Sequence, residues 1–474
     1  MQQTVQPPLK FLPPRLTPWV VHFAQMCLPL WLRFSKGIPR VEVEGGEGLA
    51  RLYQQFEAGK IRLLVAFRHP TLDDPPCLMY LFSHLLPRVA KQHGIRFRRR
   101  PHVLFVYDRG LPLWLGSVAR WGLPRLGGIP ILRGRLDRAG LKSSREQFVS
   151  GQYPLAVAPE GAINGLSGFL NPLEPGVAQM GFWAVEDLRK AARPEEVLIL
   201  PVGLRYYYLK DPSRALARLL SRMEADCKLP PVKSAHVGRE YLLARIVRLG
   251  EHLIEVMQLF YERFYVPALP EADSVNALAG EADLLARLQR LSDLALRVAE
   301  HHFGLQPQGD LIERRHRIEQ AGWAWIYRED IADIPSLSPL ERGLANRVAS
   351  EASFHLWHMR LVETLLVFAV RPVPEQPSLQ GLAETALRLW SLLAWIKGEN
   401  PARTAPPSLG PRLARFSIGD PLSVSERWPD YQANRRQAVQ ALTQDLQTEM
   451  ERLLKGIPRS LCPPEGALSA DNRL

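Results

Sequence analysis

From about residue 60 to 205, short apolar runs alternate with amphipathic stretches. IRLLVAF (61–67), VLFVYD (103–108), IPIL (129–132), PLAVAP (154–159) and VLILPVGL (197–204) are rich in Val, Ile and Leu, bounded by Gly, Pro or charge. Runs of that length and composition predict strands buried on both faces. Between them, residues 74–92, 114–122, 137–151 and 176–192 place apolar positions at helical spacing. The alternation predicts an α/β domain with a mainly parallel sheet flanked by helices.

Past DCKLPPVKSA (226–235), which reads as a linker, the texture changes. Residues 236–265, 281–303, 343–370, 382–398 and 435–456 all carry helical apolar spacing, and no strand is convincing among them. An all-α C-terminal region over 236–474 is expected. Upstream, TPWVVHFAQMCLPLWLRF (17–34) falls short of a spanning helix and is broken by His22, Gln25 and Pro29, with Trp19, Trp31 and Arg33 near its ends. Two readings stay open: helices packed on the protein, or a monotopic anchor lying in a membrane interface. The expected layout is residues 1–59 as N-terminal membrane-associated or packing helices, 60–230 as the α/β domain, and 236–474 as helical. The opening MQQTVQPPLKFLPPR is Pro-rich and polar, unlike a secretory leader.

Charge narrows the partners. Lys+Arg total 60 against Asp+Glu 48, a net +12 that favours anionic ligands or surfaces. The basic run KQHGIRFRRRPH (91–102) has one aromatic, Phe97, and no accompanying nucleic-acid motif. It is expected to be a solvated loop or a contact with anionic lipid or an acidic carrier protein, and no nucleic-acid partner is expected. Cys27, Cys77, Cys227 and Cys462 are scattered, so neither a disulfide framework nor a zinc site is expected. His301-His302 and the pair His355/His358 lack the Glu of H-E-x-x-H and an obvious third ligand, and read as helix-face residues. The tryptophans of AGWAWIYRED (321–330) read as core packing.

Parallel α/β sheets gather ligands beyond the carboxyl ends of their strands. Just past the expected strands stand Arg68-His69, with Asp73 and Asp74 close behind; Arg133; and Glu160-Gly161. Such a set suits acyl transfer to a hydroxyl. A neutral imidazole takes the hydroxyl proton as the oxygen attacks a thioester. A carboxylate on the other ring nitrogen fixes the tautomer and stabilises the imidazolium. The acceptor supplies the nucleophile, so no Ser or Cys is required. Arg133 would grip a phosphate. Asp73 is expected to be solvated or to cap a helix.

These residues carry a resemblance. HPTLDD (69–74) matches the H-x4-D motif of the glycerolipid acyltransferase family, the glycerol-3-phosphate and 1-acylglycerol-3-phosphate O-acyltransferases. GGIPILR, ending in Arg133, resembles the family's second block. APEGAIN (158–164) is similar to F-P-E-G-T-R-S, with Pro159, Glu160 and Gly161 matching. LILPV, with Pro201, resembles the fourth block, and FLNPLEPGVAQMGFWA the continuation of the third. The blocks stand in the family's order and cover roughly residues 60–210.

The resemblance implies an acyl group moved from acyl-CoA or acyl carrier protein to a lysophospholipid hydroxyl, most simply 1-acylglycerol-3-phosphate, in phospholipid synthesis. His69 would be the base and Asp74 its orienting partner. Arg133 would bind the acceptor phosphate, and Pro159, Glu160 and Gly161 would shape the acceptor site. No metal or redox cofactor is implied, and the protein is expected at the cytoplasmic face of a membrane with phospholipid as partner. One departure matters: the third block's Thr, Arg and Ser are here Ala162, Ile163 and Asn164. The family's phosphate-binding Arg is thereby missing. Arg68 and Arg205 are candidate substitutes, although both are expected to be surface residues. Ala158 replaces an aromatic and leaves the cleft roomier. A different hydroxyl acceptor, or a lipid-binding relative without turnover, are the alternatives.

Overall fold

The computed structural model describes the chain except residues 1–2, 133–136, 162, 233–236, 269–283, 332, 371–376, 402–403, 405 and 456–474. Eight strands form one mixed sheet: β1 (Arg40–Glu44), β2 (Ile61–Phe67), β3 (Leu104–Asp108), β4 (Gly128–Ile131), β5 (Leu155–Val157), β6 (Glu196–Tyr208), β7 (Arg412–Ile418) and β8 (Leu422–Ser423). Their order is β1-β7-β6-β2-β5-β3-β4, with β8 paired to β6. Strands β6, β2, β5, β3 and β4 run parallel, so the mainly parallel sheet read from the alternation is present.

All seven residues of β2 are buried, because helices cover both faces of the sheet. Ile61, Leu63, Val65 and Phe67 enter a core shared with helices Pro18–Phe34, Gly46–Glu57 and Asp74–Tyr80. Leu64 and Ala66 enter the opposite core, shared with helices Arg138–Ser150, Gly176–Lys190 and Arg435–Lys455. The period-2 alternation is thus apolar on both sides, as a doubly covered parallel strand requires.

A second unit is helical. Helices Ser213–Asp226, Arg239–Phe264, Leu284–Phe303, Leu311–Ile326, Pro339–Val370 and Leu379–Ile396 enclose a core of their own. Of the tryptophans expected to pack in a core, Trp323 packs against it, whereas Trp325 is exposed.

The layout differs from three successive modules. Residues 412–423, expected to lie in a region without strands, form β7 and β8. β7 sits between β1 and β6, parallel to β1 and antiparallel to β6. RLARFSI becomes a strand because Leu413, Ala414, Phe416 and Ser417 find cover in an existing sheet. β1 lies within residues 1–59, which were expected to be helical. Val5 is buried in the helical core and Gln6 bridges to Tyr327, so the start of the chain is tied to the bundle. β6 outruns its expected end at 204. Its Gly203–Tyr208 half passes beyond β2, and β7 pairs with it from Val202 onward.

The stretch left open at 17–34 forms helix Pro18–Phe34, which has two apolar faces. Val21, Gln25, Leu28 and Leu32 are buried, while Trp19, Phe23, Met26, Leu30 and Phe34 are exposed. Among the described residues, no helix is long and apolar enough to cross a membrane.

Candidate active site

The site begins where β2 ends. The Arg68 backbone N–H donates to the Val202 carbonyl at 3.0 Å, carrying the β2–β6 ladder one residue further. His69 then turns out of the sheet. Its Nδ1 lies 2.9 Å from Asp74 Oδ2, and its side chain keeps 15% of its surface exposed. Asp74 opens helix Asp74–Tyr80, followed by Pro75 and Pro76. Proline suits a first helical turn, where no intrahelical acceptor awaits its missing N–H. The sequence therefore turns into the helix at the residue that must face back to the histidine.

Asp74 is fully buried. Its oxygens accept from His69 Nδ1, from the Thr71 N–H at 2.6 Å, from Thr71 Oγ1 at 2.8 Å, and from the Tyr206 hydroxyl. Burial, and then the Asp74 charge, hold the Tyr206 pKa well above the ordinary phenol value. The phenol keeps its proton and donates. Because the carboxylate accepts from Nδ1, that nitrogen carries the ring hydrogen, and Nε2 presents its lone pair. Nε2 has no partner among the described residues. This is the orientation of a general base held by a carboxylate.

Glu160 follows β5, the neighbour of β2. Oε1 accepts the His69 backbone N–H at 3.0 Å and lies 3.8 Å from Arg68 Nε. Oε2 accepts from Asn164 Nδ2 at 3.4 Å and from the Asn171 N–H at 3.2 Å. Glu160 is buried and joins the two strand ends: it orders the site. Pro159 is buried too, and its carbonyl accepts the Glu174 N–H at 2.8 Å. Gly161 has φ +66°, and a Cβ there would stand 1.9 Å from Glu174 Oε1. The positive φ is what the Pro-Glu-Gly turn needs its glycine for, since the Glu174 carboxylate can swing aside.

Other expectations change. Asp73 occupies the helix N-cap position without a side-chain cap. It pairs instead with Lys36 at 3.1 Å and Arg412 at 2.7 Å, joining the end of helix Pro18–Phe34 and the start of β7 to the motif loop. Arg68 is no surface residue. It is fully buried, with Nη1 and Nη2 donating to the carbonyls of Ser167 (2.6 Å) and Leu166 (2.7 Å). Arg205 is half-buried and donates to the Leu454 carbonyl at 3.0 Å. Pro201 is no strand end: it lies within β6, opposite Ala66. Arg133 and Ala162 lie outside the described residues. β4, which leads to Arg133, is the sheet's edge, three places from β2, roughly 14 Å at ordinary strand spacing.

Among the described residues, no nucleophile is bonded to the histidine. Cys77 is buried, and that burial pushes its thiol pKa up. Ser167 Oγ donates to Glu384 at 2.6 Å. Elsewhere, His302 and His355 stack at 3.6 Å, and His358 Nδ1 meets the Tyr261 hydroxyl at 2.6 Å. Burial lowers His355 to about 4 and His358 to about 3, which keeps both rings uncharged in packing roles. Among the described residues, no group of three or more His, Cys, Asp or Glu is placed to hold a metal ion. The basic loop leaves Arg96, Arg98, Arg99 and Arg100 exposed, with the N–H groups of Arg98 and Arg99 bound to Glu57.

Two functional candidates escaped the sequence. Tyr206 reaches Asp74 from the β6 extension, and Glu384 accepts the Ser167 N–H at 3.0 Å from the helical unit. Apolar alternation through LPVGLRYYY could have extended β6; nothing local marks Glu384. Compared with protein-family models and with curated proteins, the chain matches none.

Proposed function

We propose that the protein is an O-acyltransferase working at a membrane surface, moving an acyl group from a thioester to a lysophospholipid hydroxyl. The observation that carries this reading is the His69–Asp74 pair, with Nε2 unpartnered among the described residues, beyond the carboxyl end of β2, and no described protein nucleophile bonded to it. His69 Nε2 takes the acceptor's hydroxyl proton as the oxygen bonds to the thioester carbon. The C–S bond then breaks, and the thiolate of coenzyme A or acyl carrier protein leaves with the proton from His69. Asp74 stabilises the transient imidazolium, with Thr71 and Tyr206 fixing the carboxylate. A serine or cysteine hydrolase would need its own nucleophile at Nε2.

Geometry also supports the membrane. The exposed stripe of helix Pro18–Phe34 stands beside helix Leu111–Arg125, through Trp19 and Trp121 at 6.1 Å, and Leu115 and Val118 are exposed there too. Lys36 sits over Trp31 and Arg125 over Trp121, so cations rim an apolar face. That pattern fits an anionic bilayer surface. Leu72, inside the H-x4-D loop, is exposed as well, and the Lys36–Asp73 pair holds this loop against the end of the stripe. A lipid acceptor would meet the base at the interface.

The test offers purified full-length protein acyl-CoA and acyl-carrier donors, against glycerol 3-phosphate and a panel of lysophospholipids in vesicles. Ester formation matched by thiol release supports the proposal, and the lipid consumed identifies the acceptor. Vesicle binding with no ester product from any pairing would leave a lipid-binding protein without turnover.

A further inference from the structure

We infer that Arg388, on helix Leu379–Ile396 of the helical unit, binds the acceptor's phosphate. The loop from Glu160 to Asn171 contains no cation, and Ile163 offers only hydrocarbon. Arg68 has both terminal nitrogens committed to loop carbonyls. Arg205 is tied to Leu454 and lies over the Tyr207 ring.

Arg388 resembles Arg205 in making one carbonyl bond and leaving a buried Nε unpartnered among the described residues, and differs from it in reaching the loop from the helical unit. Its Nη2 donates to the Glu363 carbonyl at 3.2 Å, and its buried Nε has no partner among the described residues. Among those residues no carboxylate closes on it. Glu363 is taken by Arg315 and Arg360, at 3.0 and 2.9 Å, and Glu384 by Ser167 and Gln380. Burial lowers the Arg388 pKa, with only the Glu363 charge opposing. A guanidinium with no carboxylate in direct contact keeps donors for an anion. The residue as a whole is partly exposed, while its Nε is buried.

Its position ties it to the chemistry. Gly165 has φ +74°, and a Cβ there would stand 2.6 Å from Arg388 Cδ. The Gly165 N–H donates to the Pro70 carbonyl at 2.9 Å, and Pro70 is the residue after His69. Arg388 therefore packs on a backbone segment one hydrogen bond from the base. Glu384, one turn earlier, holds the same loop through Ser167. The helical unit thus supplies a binding group that the α/β loop lacks. The ligand class is a phosphomonoester, and the inference rests on the acyl-transfer reading for naming it the acceptor.

Calorimetric titration of the full-length protein with inorganic phosphate and with glycerol 3-phosphate tests it. Arg388→Gln should weaken both by at least about tenfold. In the wild type, phosphate should protect Arg388 from phenylglyoxal, read by peptide mass; this arm stands even if the Gln variant does not fold. Equal affinity in a folded Arg388→Gln, absent phosphate binding by wild type, or unprotected Arg388 would each overturn the inference. Acyl transfer with an unchanged KM in Arg388→Gln would defeat the inference alone. Arg388-dependent phosphate binding without acyl transfer would defeat the functional reading alone.

Discussion

The candidate base depends on one carboxylate with four donors. Two of them come from Thr71, so the H-x4-D loop largely pins itself. The fourth comes from Tyr206, which is why the β6 extension matters to chemistry. Tyr206→Phe keeps the ring and removes the donor. It should cost about 1–3 kcal/mol of stability, the range for losing a partner of a buried polar group. It should also lower kcat/KM by roughly tenfold or more, since a loosened Asp74 holds the ring less firmly. Urea unfolding and steady-state kinetics of the variant check both; unchanged kinetics would make Tyr206 a packing residue only. The legibility of these residues tracks their separation in the chain. His69 and Asp74 are five apart, so spacing alone exposes them. Tyr206 lies 132 residues from Asp74 and Glu384 lies 217 from Ser167, and no local pattern encodes such pairings.

Among the elements, helix Pro18–Phe34 departs furthest from what folding alone asks. Its buried stripe anchors it to the sheet, and its second stripe leaves large apolar side chains in water. Burying one such side chain is worth about 1.5–3 kcal/mol, and a cation near an anionic bilayer adds about 1 kcal/mol. The exposed apolar residues of this helix, with Lys36 and Arg125, are therefore ample for surface attachment. Replacing Phe23 and Phe34 together by Glu should cut co-sedimentation with anionic vesicles by at least about tenfold and leave the melting temperature unchanged. Vesicle binding equal to wild type would remove this face from the account. Sequence periodicity found the helix but could not assign its faces, because both are apolar. β7 was missed for a related reason. RLARFSI lies between Pro- and Gly-containing segments, and its strand character comes from the two neighbours it joins rather than from its own seven residues.

In the molecule as a whole, the two units interlock. β1 and β7 complete the sheet from opposite ends of the sequence, and helix Arg435–Lys455 covers it. The helical unit meets the motif loops through Glu384 and Arg388, and the start of the chain is tied to that unit. The α/β fold was legible because each parallel strand is a local apolar run bounded by breakers. The interlocking was not, because it depends on pairings hundreds of residues apart. The account turns on whether His69 removes a proton from a bound hydroxyl. The direct measurement is kcat/KM for acyl transfer by wild type and His69→Ala, beside Asp74→Asn, with melting temperatures taken in parallel. The account predicts a fall of about 10²–10⁴-fold or more for the His69 variant, and a loss of similar order for Asp74→Asn, at wild-type folding for His69→Ala. Turnover by His69→Ala within a few-fold of wild type would contradict it.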